Sequence, residues 1–276
     1  MKVFLRKAKI RADIGYKVLT RGLFPRYFYP FNSESSRPII IHCCYHKVGT
    51  VWFSRILREV AAEIGFSYGV GSNYSKISRL EQQGNFDIFL DYGSHVNLEF
   101  LPDYIGSHMI RDPRDLIISG YFYHRWTNET WANLPLAEHR GMSYKEYLNS
   151  LSQNQGIAVE IKRSSFWINH MANWNFKNPK IYEIKYEDLI EDEKSIFRKL
   201  FEHYGFKKDV VEKCCKIADK YSFKNFSGNN KKQNSHLRSG RSGEWKLYFT
   251  EEHKRLFKEM YPGALTKLGY ESDNDW

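Results

Sequence analysis

Residues 45 to 50 (YHKVGT) bring a lysine, a glycine and a threonine together directly after the apolar run at 38–44. A strand that ends in a glycine-containing turn before a helix points backbone N–H groups and the positive helix end at one spot, which binds anions. Lys47 would add an ammonium, Gly49 a close backbone approach and Thr50 a hydroxyl. The segment therefore predicts a phosphate site. The alternative is an ordinary strand-to-helix turn with one exposed lysine.

The order of these residues differs from that of a nucleotide-hydrolysing P-loop. Such a loop places its lysine after the last glycine and follows it with a serine or threonine that holds magnesium. Here Lys47 precedes Gly49. A P-loop nucleoside or nucleotide kinase is therefore an alternative hypothesis that this order disfavours.

Two later segments also carry groups that bind anions. In the segment at 111–124, Arg111 would end a strand and Ser119 would lie two turns into the next helix. A guanidinium and a hydroxyl at one point suit a second phosphate, although Arg111 could instead pair with the acidic residues around the helix start. In the loop at 237–250, residues 238–240 (RSG) could close over an anionic ligand. A solvated charged loop is the alternative there.

The chain around these segments alternates short apolar runs with longer helical patterns. This alternation predicts an α/β fold, a three-layer sandwich with a central parallel sheet. Asp112 and Pro113 would start the helix that carries Ser119, and Ser143 with Glu146 would form a capping box. The predicted strands cover 39–44, 86–90, 106–110 and 180–186, and the predicted helices include 50–64, 193–205 and 209–221.

Charge and composition limit the function classes. The 276 residues are 42% apolar and 27% charged, which fits one large soluble domain, and a net charge of +10 attracts anions. A nucleic-acid or anionic-membrane binding module is the competing non-enzymatic hypothesis, but it leaves the three segments unexplained. No apolar run is long enough for a transmembrane helix. The cysteines form two adjacent pairs without metal-ligand spacing, which favours reduced thiols and a cytoplasmic location.

Residues 1–37 form a separate N-terminal part, with a basic amphipathic helix followed by a proline-rich linker. The helix could make weak contact with an anionic membrane, or it could pack on the main domain at 38–276.

The three segments, taken in order as YHKVGTVW, RDPRDLIISGYFYH and RSGRSGEWKLYFT, resemble the cytosolic-type sulfotransferase family. The resemblance runs from about residue 38 to 260. It implies a P-loop-like sulfotransferase fold, with 3′-phosphoadenosine 5′-phosphosulfate (PAPS) as the donor, 3′,5′-adenosine bisphosphate (PAP) as the product, and no metal. It further implies in-line transfer of the sulfuryl group to a hydroxyl or amino group of a small-molecule acceptor, with no nucleic-acid partner.

The resemblance assigns cofactor-binding roles by position. The residues on the family's loop for the 5′-phosphosulfate are Lys47, Val48, Gly49, Thr50, Val51 and Trp52. Those matching the 3′-phosphate site are Arg111, Ser119, Arg238, Ser239 and Gly240. Those resembling the residues around the adenine are Tyr186, Trp52 and Phe223.

The resemblance also assigns the chemistry. Lys47 would approach the oxygen between phosphorus and sulfur, where negative charge grows as the bond breaks. His95 falls at the place of the family's general base, and a neutral imidazole near pH 7 suits that role. Asp91 is the fallback base.

The chain departs from the family at several positions. Val48 and Val51 replace two hydroxyl-bearing residues of the loop, so the backbone, Lys47 and Thr50 must hold more of the donor. The family's C-terminal dimer motif is only partly present at 246–255, which leaves the oligomeric state open. The candidate acceptor pocket, whose helix could instead be core, contains His46, Tyr123, His124, Trp126 and Trp131, and of these His46 could touch the sulfate.

Overall fold

The computed structural model describes residues 38–71, 86–101, 103–223 and 241–276. Within these ranges, five parallel strands form the central sheet in the spatial order β2-β3-β1-β4-β5. The α/β fold with a central parallel sheet, predicted from the sequence, is confirmed. The strands are β1 (Ile39–Cys43), β2 (Tyr68–Gly71), β3 (Ile88–Asp91), β4 (Tyr104–Ile110) and β5 (Ile181–Lys185).

Strand β1 occupies the centre of the sheet because its apolar residues are buried on both faces. Ile40 packs in one core cluster, while Ile39, Ile41 and Cys43 contribute to another, as expected where successive side chains point to opposite faces. The neighbours of β1 are β3 on one side and β4 on the other. In open parallel sheets, ligands bind outside the carboxyl ends of the strands where the chain changes sides in this way.

Helices cover the sheet and extend beyond it. Helices α1, α8 and α9 share an apolar core with the sheet, and α2, α5 and α10 form a second core. The helices are α1 (Thr50–Glu63), α2 (Pro113–His124), α3 (Thr130–Asn133), α4 (Tyr144–Ser150), α5 (Gln153–Arg163), α6 (Ser165–Ala172), α7 (Tyr186–Glu191), α8 (Glu193–His203), α9 (Lys208–Lys220), α10 (Glu251–Met260) and α11 (Ala264–Lys267).

The predicted helix starts are confirmed. The Asp112 side chain accepts from the Arg114 N–H at 2.9 Å and so caps α2, with Pro113 in the first turn. Ser143 and Glu146 form the predicted capping box of α4. Hydrogen bonds that satisfy the free N–H groups of a first turn stabilise such helices.

Two features of the fold differ from the sequence-based prediction. The sequence does not predict strand β2, because two of its four residues are glycines, which are disfavoured in strands. The predicted strand at 180–186 ends at Lys185, and Tyr186 instead begins α7. Glu187 and Asp188 follow in the first turn, where acidic side chains favour a helix N-terminus.

All four cysteines carry free thiols. Cys43, Cys44 and Cys214 are buried, and Cys215 is partly exposed. Burial raises the pKa of each of these thiols.

The predicted N-terminal helix and linker, residues 1–37, lie outside the described residues. In the part of the chain that the structure describes, we find no helix with both the length and the apolar character that a membrane crossing requires.

Candidate active site

The loop that follows β1 contains two residues with positive φ. Lys47 has φ 66°, and Gly49, which caps α1, has φ 94°. The Thr50 hydroxyl donates to the Tyr45 carbonyl at 2.9 Å and holds the loop against the start of the helix. The loop thus brings Lys47 and the N-terminus of α1 to the carboxyl edge of the sheet, where an anion would be stabilised.

Gly49 lies against the ring of Tyr186 at the start of α7. A Cβ added at Gly49 would stand 3.3 Å from Tyr186 Cε2, so glycine permits this close approach. Burial raises the pKa of the Tyr186 hydroxyl. Of the two valines in the loop, Val48 is buried and Val51 is 40% exposed.

We expect Gly49→Ala to lower the free energy of unfolding by roughly 2 kcal/mol, because alanine disfavours positive φ and its Cβ presses on Tyr186. Gly65→Ala is the matched control, since Gly65 has φ 75° with nothing within 4 Å of an added Cβ. Gly65→Ala should lower the free energy of unfolding by about 1 kcal/mol. Urea unfolding measures both, and equal losses would show that the contact with Tyr186 contributes nothing.

Arg111 connects the segments that the sequence singles out. Its Nη1 donates to the Lys47 carbonyl at 3.2 Å and its Nη2 to the Arg241 carbonyl at 3.2 Å. Its guanidinium lies 4.6 Å from the centre of the Tyr186 ring. Arg111 is 6% exposed, and its Nε is buried without a hydrogen-bond partner among the described residues. A buried donor without a partner is costly, so this side chain favours a bound anion.

The remaining predicted anion-binding residues are Ser119 on α2 and residues 238–240. Ser119 is partly exposed on α2. Residues 238–240, which the sequence predicts to close over the ligand, fall outside the described residues. The residues that follow them are fixed to α2, because the Gly243 and Trp245 N–H groups donate to Asp115 at 2.6 and 2.9 Å. The chain at Gly243 and Trp245 is therefore held close to the start of the helix that carries Ser119.

Three aromatic residues predicted to surround a planar ligand come together. Phe223 meets Trp52 edge to face at 5.8 Å and Tyr186 edge to face at 6.5 Å between ring centres. Trp52 is 1% exposed, and its Nε1 donates to the Tyr221 carbonyl at 2.6 Å. Phe223 is partly buried between the two other rings. Trp52 is thus the most deeply buried ring of this cluster, and Phe223 and Tyr186 extend the cluster toward Gly49.

The side chains of Lys47 and His46 meet the end of α2. Lys47 Nζ lies 3.8 Å from the centre of the Tyr123 ring, and the His46 ring centre is 5.6 Å from that of Tyr123. His46 Nε2 lies 3.0 Å from His124 Nε2, and His124 Nδ1 lies 2.6 Å from Glu160 Oε1. A chain of three titratable groups therefore ends beside the loop lysine.

The predicted pocket tryptophans extend this surface. Trp126 meets Tyr123 edge to face at 5.0 Å, and Trp131 meets His124 edge to face at 5.0 Å. The Arg163 guanidinium lies 4.4 Å from the centre of the Trp131 ring. Aromatic faces of this kind bind apolar or cationic groups.

His95 is exposed on the loop that follows β3. Its ring lies 5.5 Å from that of Phe166 and is stacked 6.0 Å from that of Trp167. The Asp91 carboxylate accepts from the Gly93 and Val96 N–H groups and shapes this loop. Burial raises the pKa of Asp91. Asp91 therefore supports the loop that presents His95.

Ser94 ties the loop of His95 to the loop of Lys47. The Ser94 hydroxyl donates to the Cys44 carbonyl at 3.1 Å. The two predicted catalytic residues thus occupy adjoining loops at the same edge of the sheet.

Two other histidines are buried parts of the structure. His42 is stacked on Phe53, and burial lowers its pKa to about 3. His108 is stacked on Trp174 and bonded to Glu183 at 2.7 Å, and burial lowers its pKa. Both are neutral core side chains.

Sequence reasoning missed Glu160, Phe166 and Trp167. Glu160 had a detectable signal, because it stands on the apolar face of α5 with Ile157 and Ile161, and a buried acid is rare unless paired. Phe166 and Trp167 carried no such signal, since their contact with His95 forms only when α6 packs beside the loop after β3.

The comparisons with known proteins identify the family of this chain. The model of the sulfotransferase domain family matches residues 37–269. A 3-alpha-hydroxysteroid sulfotransferase of Cavia porcellus is 25% identical over 79% of this chain and 80% of its own length. A flavonol 4′-sulfotransferase of Flaveria chlorifolia is 22% identical over 82% of this chain and 79% of its own length.

Among solved structures, the mouse sulfotransferase SULT7A1 in complex with PAP shares the fold. Its TM-score is 0.51 at 20% identity, and the match covers 84% of each chain. Because the family model spans most of the sequence, this chain belongs to the sulfotransferase domain family.

Proposed function

We propose that this sulfotransferase moves the sulfuryl group from PAPS to a hydroxyl or amino group of a small-molecule acceptor by in-line attack. The observation that carries the proposal is the position of Arg111. This side chain bonds the carbonyl of Lys47, covers Tyr186 and leaves a buried donor without a partner among the described residues. It is therefore placed to bind a phosphate of the nucleotide next to the loop that holds the other end.

The residues present fit a doubly phosphorylated adenosine. The loop from Lys47 to Thr50 and the N-terminus of α1 would hold the 5′-phosphosulfate. Arg111 and Ser119, with residues 238–240, would hold the 3′-phosphate. Phe223 and Tyr186 would contact the adenine, since aromatic rings stack on bases.

Two side chains would carry the chemistry. His95 would take the proton from the acceptor's hydroxyl or amine as its bond to sulfur forms. Lys47 would stabilise the negative charge that develops on the 5′-phosphate oxygen as the bond from that oxygen to sulfur breaks. The adjoining loops after β1 and β3 place both residues at the same edge.

The aromatic surroundings support a partly apolar or cationic acceptor. Phe166 and Trp167 border His95, and Tyr123, Trp126 and Trp131 border the loop of Lys47. The names of the relatives, a hydroxysteroid and a flavonol sulfotransferase, support a ring-bearing hydroxyl compound as the first acceptor to test. We also place the reaction in the cytoplasm, a choice that the four free thiols support.

Calorimetry with PAP, without magnesium, tests the proposal. The protein should bind PAP in the micromolar range or tighter, and a nucleotide kinase would instead require ATP with magnesium. Incubation with labelled PAPS and a panel of hydroxyl and amine acceptors, analysed by mass spectrometry, should then detect a sulfated product. A folded protein that ignores PAP would contradict the proposal.

Arg111→Gln should raise the Kd of PAP about a hundredfold, because a charge-assisted bond to phosphate is lost. Arg198→Gln is the control, since Arg198 lies on the surface and pairs with Glu212 at 2.6 Å. This variant should bind PAP as the wild type does. An unchanged Kd for Arg111→Gln, measured by calorimetry, would remove Arg111 from the nucleotide site.

A further inference from the structure

The strongest feature that the proposed mechanism does not use is the chain formed by Glu160, His124 and His46. Glu160 is 1% exposed and His124 is 4% exposed. One carboxylate oxygen, Oε1, bonds both His124 Nδ1 at 2.6 Å and the Tyr144 hydroxyl at 2.6 Å. The chain continues to His46 through the contact of 3.0 Å between the two Nε2 atoms.

The bonds of the chain limit where its protons can lie. The Tyr144 hydroxyl donates to the carboxylate, and burial together with Glu160 raises the pKa of Tyr144, so this proton stays on the tyrosine. His124 Nδ1–H is then the second donor to Glu160. One proton lies between the two Nε2 atoms, because two lone pairs at 3.0 Å would repel each other.

The buried carboxylate favours one of the two places for that proton. A buried carboxylate is stabilised more by an ion pair than by neutral hydrogen bonds alone, and placing this proton on His124 would form such an ion pair with Glu160. With the proton in that place, His124 Nε2–H would donate to His46 Nε2. His46 would then carry its own proton on Nδ1 and act as a hydrogen-bond donor from that atom.

His46 stands where such a donor is useful. It is the residue before Lys47, and both side chains lie against the ring of Tyr123. The same loop carries Val48 and Val51, which have no hydroxyl to offer to the donor substrate. A second hydrogen-bond donor beside the Lys47 ammonium would help to stabilise the negative charge on the oxygens of the 5′-phosphosulfate.

We propose that His46 is a third catalytic residue, which donates from Nδ1 to the oxygens that gain charge as the sulfuryl group leaves, and that His124 and Glu160 are its positioning residues. This inference rests on the proposed function. In the step, the acceptor atom bonds to sulfur, its proton goes to His95, and the broken sulfur–oxygen bond leaves its electron pair on the 5′-phosphate oxygen. His46 keeps its proton and stabilises that oxygen by a hydrogen bond.

Three variants test the role of His46 and its support. His46→Phe keeps a ring but removes the donor, so kcat should fall about a hundredfold, as for the loss of one oxyanion donor, and the Kd of PAP should rise about tenfold. His46→Asn restores a donor and should recover most of kcat. Glu160→Gln keeps the size of the side chain but removes its charge, so kcat should fall about tenfold with the acceptor KM unchanged.

His253→Gln is the matched control. His253 is also buried, and its Nε2 lies 2.8 Å from the Asn154 carbonyl of α5, the helix that carries Glu160. This variant should keep the wild-type kcat and PAP affinity. Thermal unfolding of each variant separates lost packing from lost catalysis.

The protonation pattern can be read without any turnover. Nitrogen-15 NMR of the histidine rings in the protein without nucleotide should show His124 protonated on both nitrogens and His46 protonated on Nδ1. In Glu160→Gln, His124 should lose its second proton. A wild-type His46 protonated on Nε2 instead would overturn the inference.

The outcomes separate this inference from the proposed function. If the wild type ignores PAP, the proposed function fails. If the wild type binds PAP and transfers the sulfuryl group while His46→Phe matches it in kcat and Kd, only the role of His46 fails.

Discussion

Lys47→Ala should lower kcat for sulfuryl transfer about a thousandfold, the upper range for removing one preorganised group that stabilises developing charge. The fold should persist for two reasons. The φ of 66° at this position costs alanine no more than lysine, and the carbonyl that accepts from Arg111 belongs to the backbone. Steady-state kinetics with labelled PAPS measures the loss.

Lys199→Ala controls for the removal of a positive charge, because Lys199 is exposed on α8. Its kcat should equal that of the wild type. A Lys47→Ala variant that turned over at more than about a tenth of the wild-type rate would show that the leaving group is stabilised elsewhere. His46 and Arg111 would then be the first residues to examine.

His95→Ala should lower kcat about a thousandfold, within the range expected for loss of a general base, while the Kd of PAP stays unchanged. Nucleotide binding should survive because the rings that His95 contacts are those of Phe166 and Trp167, which we do not assign to the nucleotide site. The loop itself should keep its shape, since Asp91 holds the Gly93 and Val96 N–H groups.

His203→Ala is the matched control, because His203 is a partly exposed histidine at the end of α8 whose Nε2 lies 3.1 Å from the Lys180 carbonyl. It should leave kcat unchanged. Near-normal turnover of His95→Ala on an accepted acceptor would assign the base to another group. Comparing hydroxyl and amine acceptors with the variant shows whether the loss depends on the proton to be removed.

The fold was predictable where local pattern and burial agree. The isoleucine run at 39–41 is apolar on both faces of the sheet, so the sequence alone identifies a central strand. Strand β2 is a glycine-containing edge strand that forms because β3 pairs with it, and no local signal announces such pairing. The observed strand stops before Tyr186 because the acidic residues that follow favour a helix N-terminus there.

The site was predictable only in part, for a similar reason. The loop of Lys47 and the strand end of Arg111 lie in ordered segments whose residue types show their chemistry. His46 and His124 were both placed in the pocket by their positions in the sequence. Their contact, and the support from Glu160, depend on how α2 packs on α5, which no spacing within either segment encodes.

The burial of Cys44 makes the opening of the loop after β1 measurable by thiol labelling. Cys215, on α9, is partly exposed and is the cysteine that a maleimide dye can reach most readily. Cys44 is buried under the loop of Lys47, with its sulfur 3.6 Å from the Thr50 hydroxyl. A reagent can modify Cys44 only during moments when that loop opens. The labelling rate of Cys44 therefore reports how often the loop opens, and a bound nucleotide should lower that rate.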